Sequence, residues 1–235
     1  MNIHAKQSDR GNALFIVLIA IILLAGLAVA LKGTESNSQM QTKNEVKLQA
    51  DELLAYLASV QAGVRTVMSM NGTAETQISF EDPRPNQTGA DADTTNTRNP
   101  NARGDQDKVF NTASGGMVQW KDFGYITQTR NSSLDFNNQL YSGGMAVQDV
   151  GSTKADLVFL LRDIPARLCF EINQRVGLPT VEADTPLDST LSILHYKGSY
   201  GAAALGGGIS GQPYGCFRSA DTPAYYWMYY IILAR

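Results

Sequence analysis

The chain has 235 residues, of which 43% are apolar and 17% are charged. This composition excludes a disordered chain and a coiled coil rich in charged residues, and the length suits one folded domain with a tail or an anchor. The formal net charge of −3 leaves no surplus of basic residues, so we expect no nucleic-acid partner.

A run of 19 uncharged, apolar residues begins at Ala13 and ends at Leu31. As an α-helix this run would be about 28 Å long, close to the ~30 Å hydrocarbon core of a bilayer. It predicts either an uncleaved membrane anchor or a secretory signal peptide. The second interpretation places a cut after Ala30, because Ala28 and Ala30 supply the small residues typical of that cleavage site.

The residues around Gly11 resemble the processing signal of type IV pilins and pseudopilins. A short hydrophilic leader, residues 1–11, ends in Gly11 and is followed by Asn12 and the apolar sequence ALFIVLI. The resemblance implies that a prepilin peptidase cuts after Gly11 and that the new N-terminus is methylated. It also implies a long helix over residues 12–72, whose first part, residues 12–31, spans the membrane and later lies in the core of a filament.

The same resemblance implies a location and partners. The subunit would cross the bacterial inner membrane once and carry a head, residues 73–235, in the periplasm or on a surface filament. Its partners would be the inner membrane, the prepilin peptidase and other pilin or pseudopilin subunits. The filament would be a type IV pilus (a fimbrium) or a type II protein-secretion-like filament.

Two positions depart from the pattern of that family. Asn12 stands where members commonly have Phe or Met, and Ile16 stands where they commonly have Glu. The glutamate pairs with the charged N-terminus of a neighbouring subunit, where an unpaired charge in apolar surroundings would be costly. Its absence points to a minor subunit. The alternative is a single-pass membrane-anchored or secreted periplasmic binding protein that does not polymerise.

Beyond the apolar run, a second helical pattern consists of apolar residues spaced alternately four and three positions apart. We predict that this helix ends at Asn71-Gly72, because glycine tolerates the left-handed conformation of a C-cap. The stripe predicts packing on a sheet of the same domain, or coiled-coil pairing with another chain. Its members are Val46, Ala50, Leu53, Leu57, Val60, Val64 and Val67.

Residues 81–107 contain almost no apolar side chains, so we expect a solvated, acidic loop. Calcium binding is an alternative for its aspartates, although their spacing lacks the glycine and the terminal glutamate of a known calcium loop. The adhesion tripeptide Arg103-Gly104-Asp105 is attributed to chance. The aspartates in question are Asp91, Asp93, Asp105 and Asp107.

The rest of the head predicts an α+β fold, in which the long N-terminal helix packs on an antiparallel sheet as in pilins. One helix is predicted from an N-cap at Asp163 to Gly177. The last strand is apolar or aromatic on both faces, which favours a central strand over an exposed aromatic surface that binds a ligand. The strand predictions are Met117–Trp120, Phe123–Thr127, Ala155–Leu161, Thr190–Tyr196 and Ala224–Leu233.

The chain has two cysteines, Cys169 and Cys216. If the head lies outside the cytoplasm, we expect a disulfide between them, and buried free thiols are the alternative. Seven glycines between Gly198 and Gly215 predict a mobile or tightly turning loop. They predict no nucleotide site, because no strand–glycine–helix unit surrounds them.

Catalysis is poorly supported by the sequence. His195 is the one histidine of the head and would have to serve alone as general base or metal ligand. The motifs of serine hydrolases, zinc proteases and nucleotide-binding enzymes do not occur. We therefore predict no catalytic residues, no cofactor and no metal. An envelope enzyme that uses His195 is the alternative.

Overall fold

A computed structural model describes residues 42–81, 97–127, 139–188, 195–201, 203–205, 211–220 and 225–235. The chain divides into two compact units, Met1–Glu45 and Val46–Arg235. The first unit is described only at residues 42–45, which are helical, and the second contains the predicted head. In its described residues the second unit combines helices with a sheet, so the α+β prediction is confirmed.

Helix α1 is described over residues 42–71. Its apolar stripe is buried as predicted: Val46 is half-buried, and the other six members have no exposed surface. Five of those six belong to one apolar cluster with the sheet residues Phe159, Leu161 and Met228, which confirms packing on a sheet of the same domain. The predicted end is also confirmed, because Gly72 follows the helix with a φ of 60°.

The sheet has six described strands in the order β3-β5-β6-β2-β1-β4. The four central strands are antiparallel, as predicted, but short parallel strands flank them, β3 beside β5 and β4 beside β1. The strands are β1 Gln139–Val147, β2 Asp156–Arg162, β3 Leu187–Asp188, β4 Ala203–Leu205, β5 Tyr214–Ser219 and β6 Tyr226–Leu233.

The last strand is central, as its sequence predicts. β6 lies between β5 and β2. Two consecutive residues of β6, Met228 and Tyr229, are fully buried in apolar clusters on opposite faces of the sheet. The prediction for Ala155–Leu161 is confirmed within one residue by β2. Of Thr190–Tyr196, the first five residues lie outside the described part, and residues 195 and 196 are not in a strand.

The strand predictions for Met117–Trp120 and Phe123–Thr127 are wrong, because neither segment joins the sheet. Their apolar alternation does report burial, since Val118 is 7% exposed and Phe123 has no exposed surface. Met117, however, has a left-handed φ of 57°. The backbone N–H of Phe123 donates to the side-chain Oε1 of Gln139 at 3.2 Å, instead of to a neighbouring strand.

Helix α2 comprises Ala166–Val176 and ends at the predicted Gly177, whose φ is 73°. Its predicted N-cap is wrong, because Pro165 occupies that position. Asp163 instead has a left-handed φ of 60°, in the turn that leads the chain out of β2. The next residue, Ile164, donates its N–H to the carbonyl of Tyr226 at 3.1 Å, which ties this turn to β6.

The outer edge of β1 is covered by residues 196–201. Tyr196 donates its N–H to the carbonyl of Tyr141 at 2.7 Å, and Gly201 donates to the carbonyl of Gly143 at 2.8 Å. This close approach requires a glycine within β1. A Cβ at Gly143 would lie 2.7 Å from a ring carbon of Tyr196 and 2.9 Å from the carbonyl of Ser199.

Candidate functional site

The predicted processing residues Gly11 and Asn12 lie outside the described residues, and so does the apolar run from Ala13 to Leu31. Their roles therefore stay predictions. Among the residues that the structure describes, no helix is both long and apolar enough to cross a membrane.

The two cysteines form the predicted disulfide. Cys169 on α2 and Cys216 on β5 have their Cα atoms 5.3 Å apart and no exposed surface. The bond closes a loop with a sequence separation of 47 residues. In the chain-entropy model, a loop of this size stabilises the folded state by about 4 kcal/mol. The disulfide thus joins the second helix to the sheet.

The side chain of Asn173 adds a second connection at the same place. Its Oδ1 accepts the backbone N–H of Cys216 at 2.7 Å, and its Nδ2 donates to the carbonyl of Cys216 at 3.1 Å. Nδ2 also donates to the carbonyl of Pro179 at 2.9 Å. The amide therefore pairs with the edge of β5 as a neighbouring strand would, and it is fully buried.

Of the predicted solvated loop, residues 81–107, residues 82–96 lie outside the described part, and most of residues 97–107 are exposed or half-buried. The prediction is wrong for three polar residues of this segment, one of which is Thr97 at 4% exposure. Asn99 and Asp107 have no exposed surface. Asn99 donates from Nδ2 to the carbonyls of Thr76 and Ile78, each at 2.8 Å, which fixes the segment to the chain that follows α1. Composition predicted solvation because these side chains are polar, but hydrogen bonds allow polar side chains to be buried.

The carboxylate of Asp107 accepts four hydrogen bonds, one of them from the backbone N–H of Arg103 to Oδ2 at 2.7 Å. Arg103 approaches Asp107 Oδ1 with Nη2 at 2.7 Å and Oδ2 with Nε at 3.0 Å, which is a bidentate pair. The Thr73 hydroxyl also donates to Oδ1. The Arg103 guanidinium is the largest cause that lowers the pKa of Asp107, to about 2. Arg103 therefore has a structural partner, and the adhesion tripeptide interpretation gains no support.

The calcium alternative also gains no support from the described aspartates. Asp105 forms an ion pair with Lys108 at 2.9 Å, and Asp107 forms one with Arg103. Asp91 and Asp93 lie outside the described residues. Across the described ranges, no group of three or more His, Cys, Asp or Glu side chains is placed to hold a metal ion.

His195 lies in an aromatic pocket of about 290 Å³, measured out to open solvent. The space within it is enough for about one water molecule. Burial raises the pKa of Tyr141 well above its ordinary value. The pocket can thus hold a water molecule, and the envelope enzyme that uses His195 stays a hypothesis. The lining residues are Phe80, Thr97, Trp120, Gln139, Tyr141, His195 and Tyr196.

Sequence reasoning missed the residues that fix this architecture. Asn173 was one polar residue on a helix, and nothing in its neighbourhood indicated that it would pair with a strand 43 residues later. For Asp107 a signal existed, because Arg103 precedes it by four residues, a spacing at which opposite charges interact on a helical turn. The pattern was masked by the polar composition around it.

Comparisons with known proteins leave the family open. No family model, no curated protein and no solved structure matches this chain.

Proposed function

We propose that the chain is a pilin-like or minor pseudopilin subunit, anchored in the inner membrane, processed after Gly11 and assembled into a filament. The observation that carries the proposal is α1, a helix that packs along an antiparallel sheet and follows closely on the apolar run. A helix that is half membrane segment and half domain core is the layout that the prepilin-type sequence implies.

The exposed face of α1 suits lateral packing. Ala55, Ala58 and Ala62 are exposed on the side away from the sheet, and Ser59 and Ser69 share that side. Small side chains let a neighbouring surface approach the helix backbone closely. The disulfide supports the same proposal, because it is typical of a head that folds in an oxidising compartment.

The test is the N-terminus of the mature chain. The protein is isolated from host membranes and from sheared surface material, and its intact mass and N-terminal sequence are measured. We expect a chain that begins at Asn12. Replacement Gly11→Val should block this cut, and the matched replacement Gly33→Val, beyond the apolar run, should leave it unchanged.

The other start sites contradict the proposal in different ways. A chain that begins at Leu31 would be an exported soluble protein, and Ala30→Leu should then abolish its release. An intact Met1 would leave a plain membrane anchor. Either result favours the alternative, a binding protein that does not polymerise. Its start site, in the membrane fraction and in the sheared material alike, would not depend on a prepilin peptidase.

A further inference from the structure

At the end of β2, Arg162 lies against two aromatic side chains, one in β6 and one just before it. Its guanidinium carbon is 4.4 Å from the ring centre of Tyr225 and 5.6 Å from that of Trp227, its register partner across the strands. The Nε of Arg162 is buried and has no hydrogen-bond partner. The guanidinium is thus held in place by ring faces while its buried donor has no acceptor.

The indole N–H of Trp227 is a second buried donor that lacks an acceptor. Trp227 is 3% exposed, and its Nε1 is buried without a hydrogen-bond partner. Phe217 also holds the indole ring in place, because the two rings stack with their centres 6.4 Å apart and a tilt of 5°. Leaving a buried donor without an acceptor costs free energy, and two such donors, one of them on the arginine cation itself, favour a missing anionic acceptor.

We propose that Arg162, Tyr225 and Trp227 form a binding site for a carboxylate group. The planar fork of arginine matches the two oxygens of a carboxylate, and the ring contacts orient it beforehand, which lowers the entropy lost on binding. The indole N–H offers a further donor to the same group.

The choice of a carboxylate over a phosphate rests on charge. Asp163 follows Arg162 directly, is 6% exposed and has a buried Oδ2 without a hydrogen-bond partner. A dianion beside this carboxylate would be repelled more strongly than a monoanion. The site does not depend on the filament proposal, because it would exist in a pilin subunit and in a soluble binding protein alike.

The test is an NMR titration of the full-length, ¹⁵N-labelled chain, in which the indole N–H signals of the tryptophans are monitored. The chain has two tryptophans, so Trp120→Phe assigns the signal of Trp227. Sodium acetate should shift the Trp227 signal downfield with saturation, at a dissociation constant of about 1–10 mM, as expected for a ligand of four heavy atoms. Sodium phosphate at equal ionic strength should bind at least tenfold more weakly.

Variants locate the site. Arg162→Gln should weaken acetate binding at least tenfold, and Arg162→Lys, which keeps the charge but not the fork, should weaken it less. Arg65→Gln, at an exposed position on α1, is the matched control and should change nothing. A dispersed amide spectrum shows whether each variant is folded. If Arg162→Gln does not fold, Arg162→Lys tests the site instead.

The same titration with a Gly-Glu-Gly peptide distinguishes the source of the carboxylate. Binding at least tenfold tighter than acetate assigns it to a polypeptide, and equal binding assigns it to a free acid. The proposal is overturned by a shift that does not saturate, by acetate binding that Arg162→Gln leaves intact, or by tighter binding of phosphate.

Discussion

The amide of Asn173 allows a test of whether a single side chain can replace a neighbouring strand. Replacement Asn173→Ala removes three hydrogen bonds, two to the backbone of Cys216 and one to the carbonyl of Pro179. The disulfide remains, so the chain stays tethered at the same point. The perturbation therefore isolates the pairing from the covalent link.

The expected cost follows from the number of buried groups left without partners. The N–H and the carbonyl of Cys216, which has no exposed surface, and the carbonyl of the half-buried Pro179 lose their hydrogen bonds. At about 1 kcal/mol for each bond, and somewhat more for groups that water cannot reach, the loss is about 4 kcal/mol of unfolding free energy. For a unit of this size, that corresponds to a melting temperature lower by about 10 °C.

Urea and thermal unfolding under non-reducing conditions measure this loss. Asn44→Ala, at an exposed position on α1, is the control and should change stability by less than about 0.5 kcal/mol. Asn173→Asp keeps the acceptor but turns an anionic oxygen towards two carbonyl groups, so it should cost more than alanine at neutral pH and recover partly in acid. A loss below about 1 kcal/mol for Asn173→Ala would refute strand-like pairing.

Three further predictions concern other contacts. Reduction of the disulfide should lower the unfolding free energy by about 4 kcal/mol, as measured by urea unfolding with and without reductant. The lowered pKa of Asp107 should contribute about 2 kcal/mol above pH ~4 that is lost as the pH falls towards 2, and Asp107→Asn should remove this slope from stability–pH curves. Gly63→Ala should destabilise by about 1–3 kcal/mol despite its better helix propensity, because its Cβ would lie 2.3 Å from Val118 Cγ2. Val118→Ala should restore much of that loss, and additive effects of the two would contradict the clash.

Elements with an uninterrupted periodic pattern could be predicted from the sequence. The stripe of α1 and the apolar β2 and β6 report burial directly, so their existence and approximate bounds follow from spacing alone. β1 could not be found in this way, because Gly143 and Gly144 interrupt it and weaken its strand signal. The reason for Gly143 is the close approach of residues 196–201, which is a long-range contact and leaves no local pattern.

The candidate site was less predictable than the fold. The pairing of two cysteines follows from their number, but the aromatic rings around Arg162 depend on the register of β2 with β6. A one-residue shift of that register would move Trp227 to the other face of the sheet. Likewise, the apolar side chain of Phe123 is typical of a strand, but its backbone N–H donates to the side chain of Gln139 and not to a neighbouring strand. This contact depends on the position of Gln139 in the fold, which the local sequence does not show.

The backbone contacts along β1 and β5 have a consequence for aggregation. A strand with free outward N–H and C=O groups is a template on which other chains can add, which is the first step towards cross-β aggregates. In the described part of this sheet, residues 196–201 occupy outward groups of β1, and Asn173 and Pro186 occupy those of Cys216 and Arg218 on β5. The edges of the described sheet are then the two-residue strand β3 and the three-residue strand β4, and such short edge strands offer little backbone on which another chain could add.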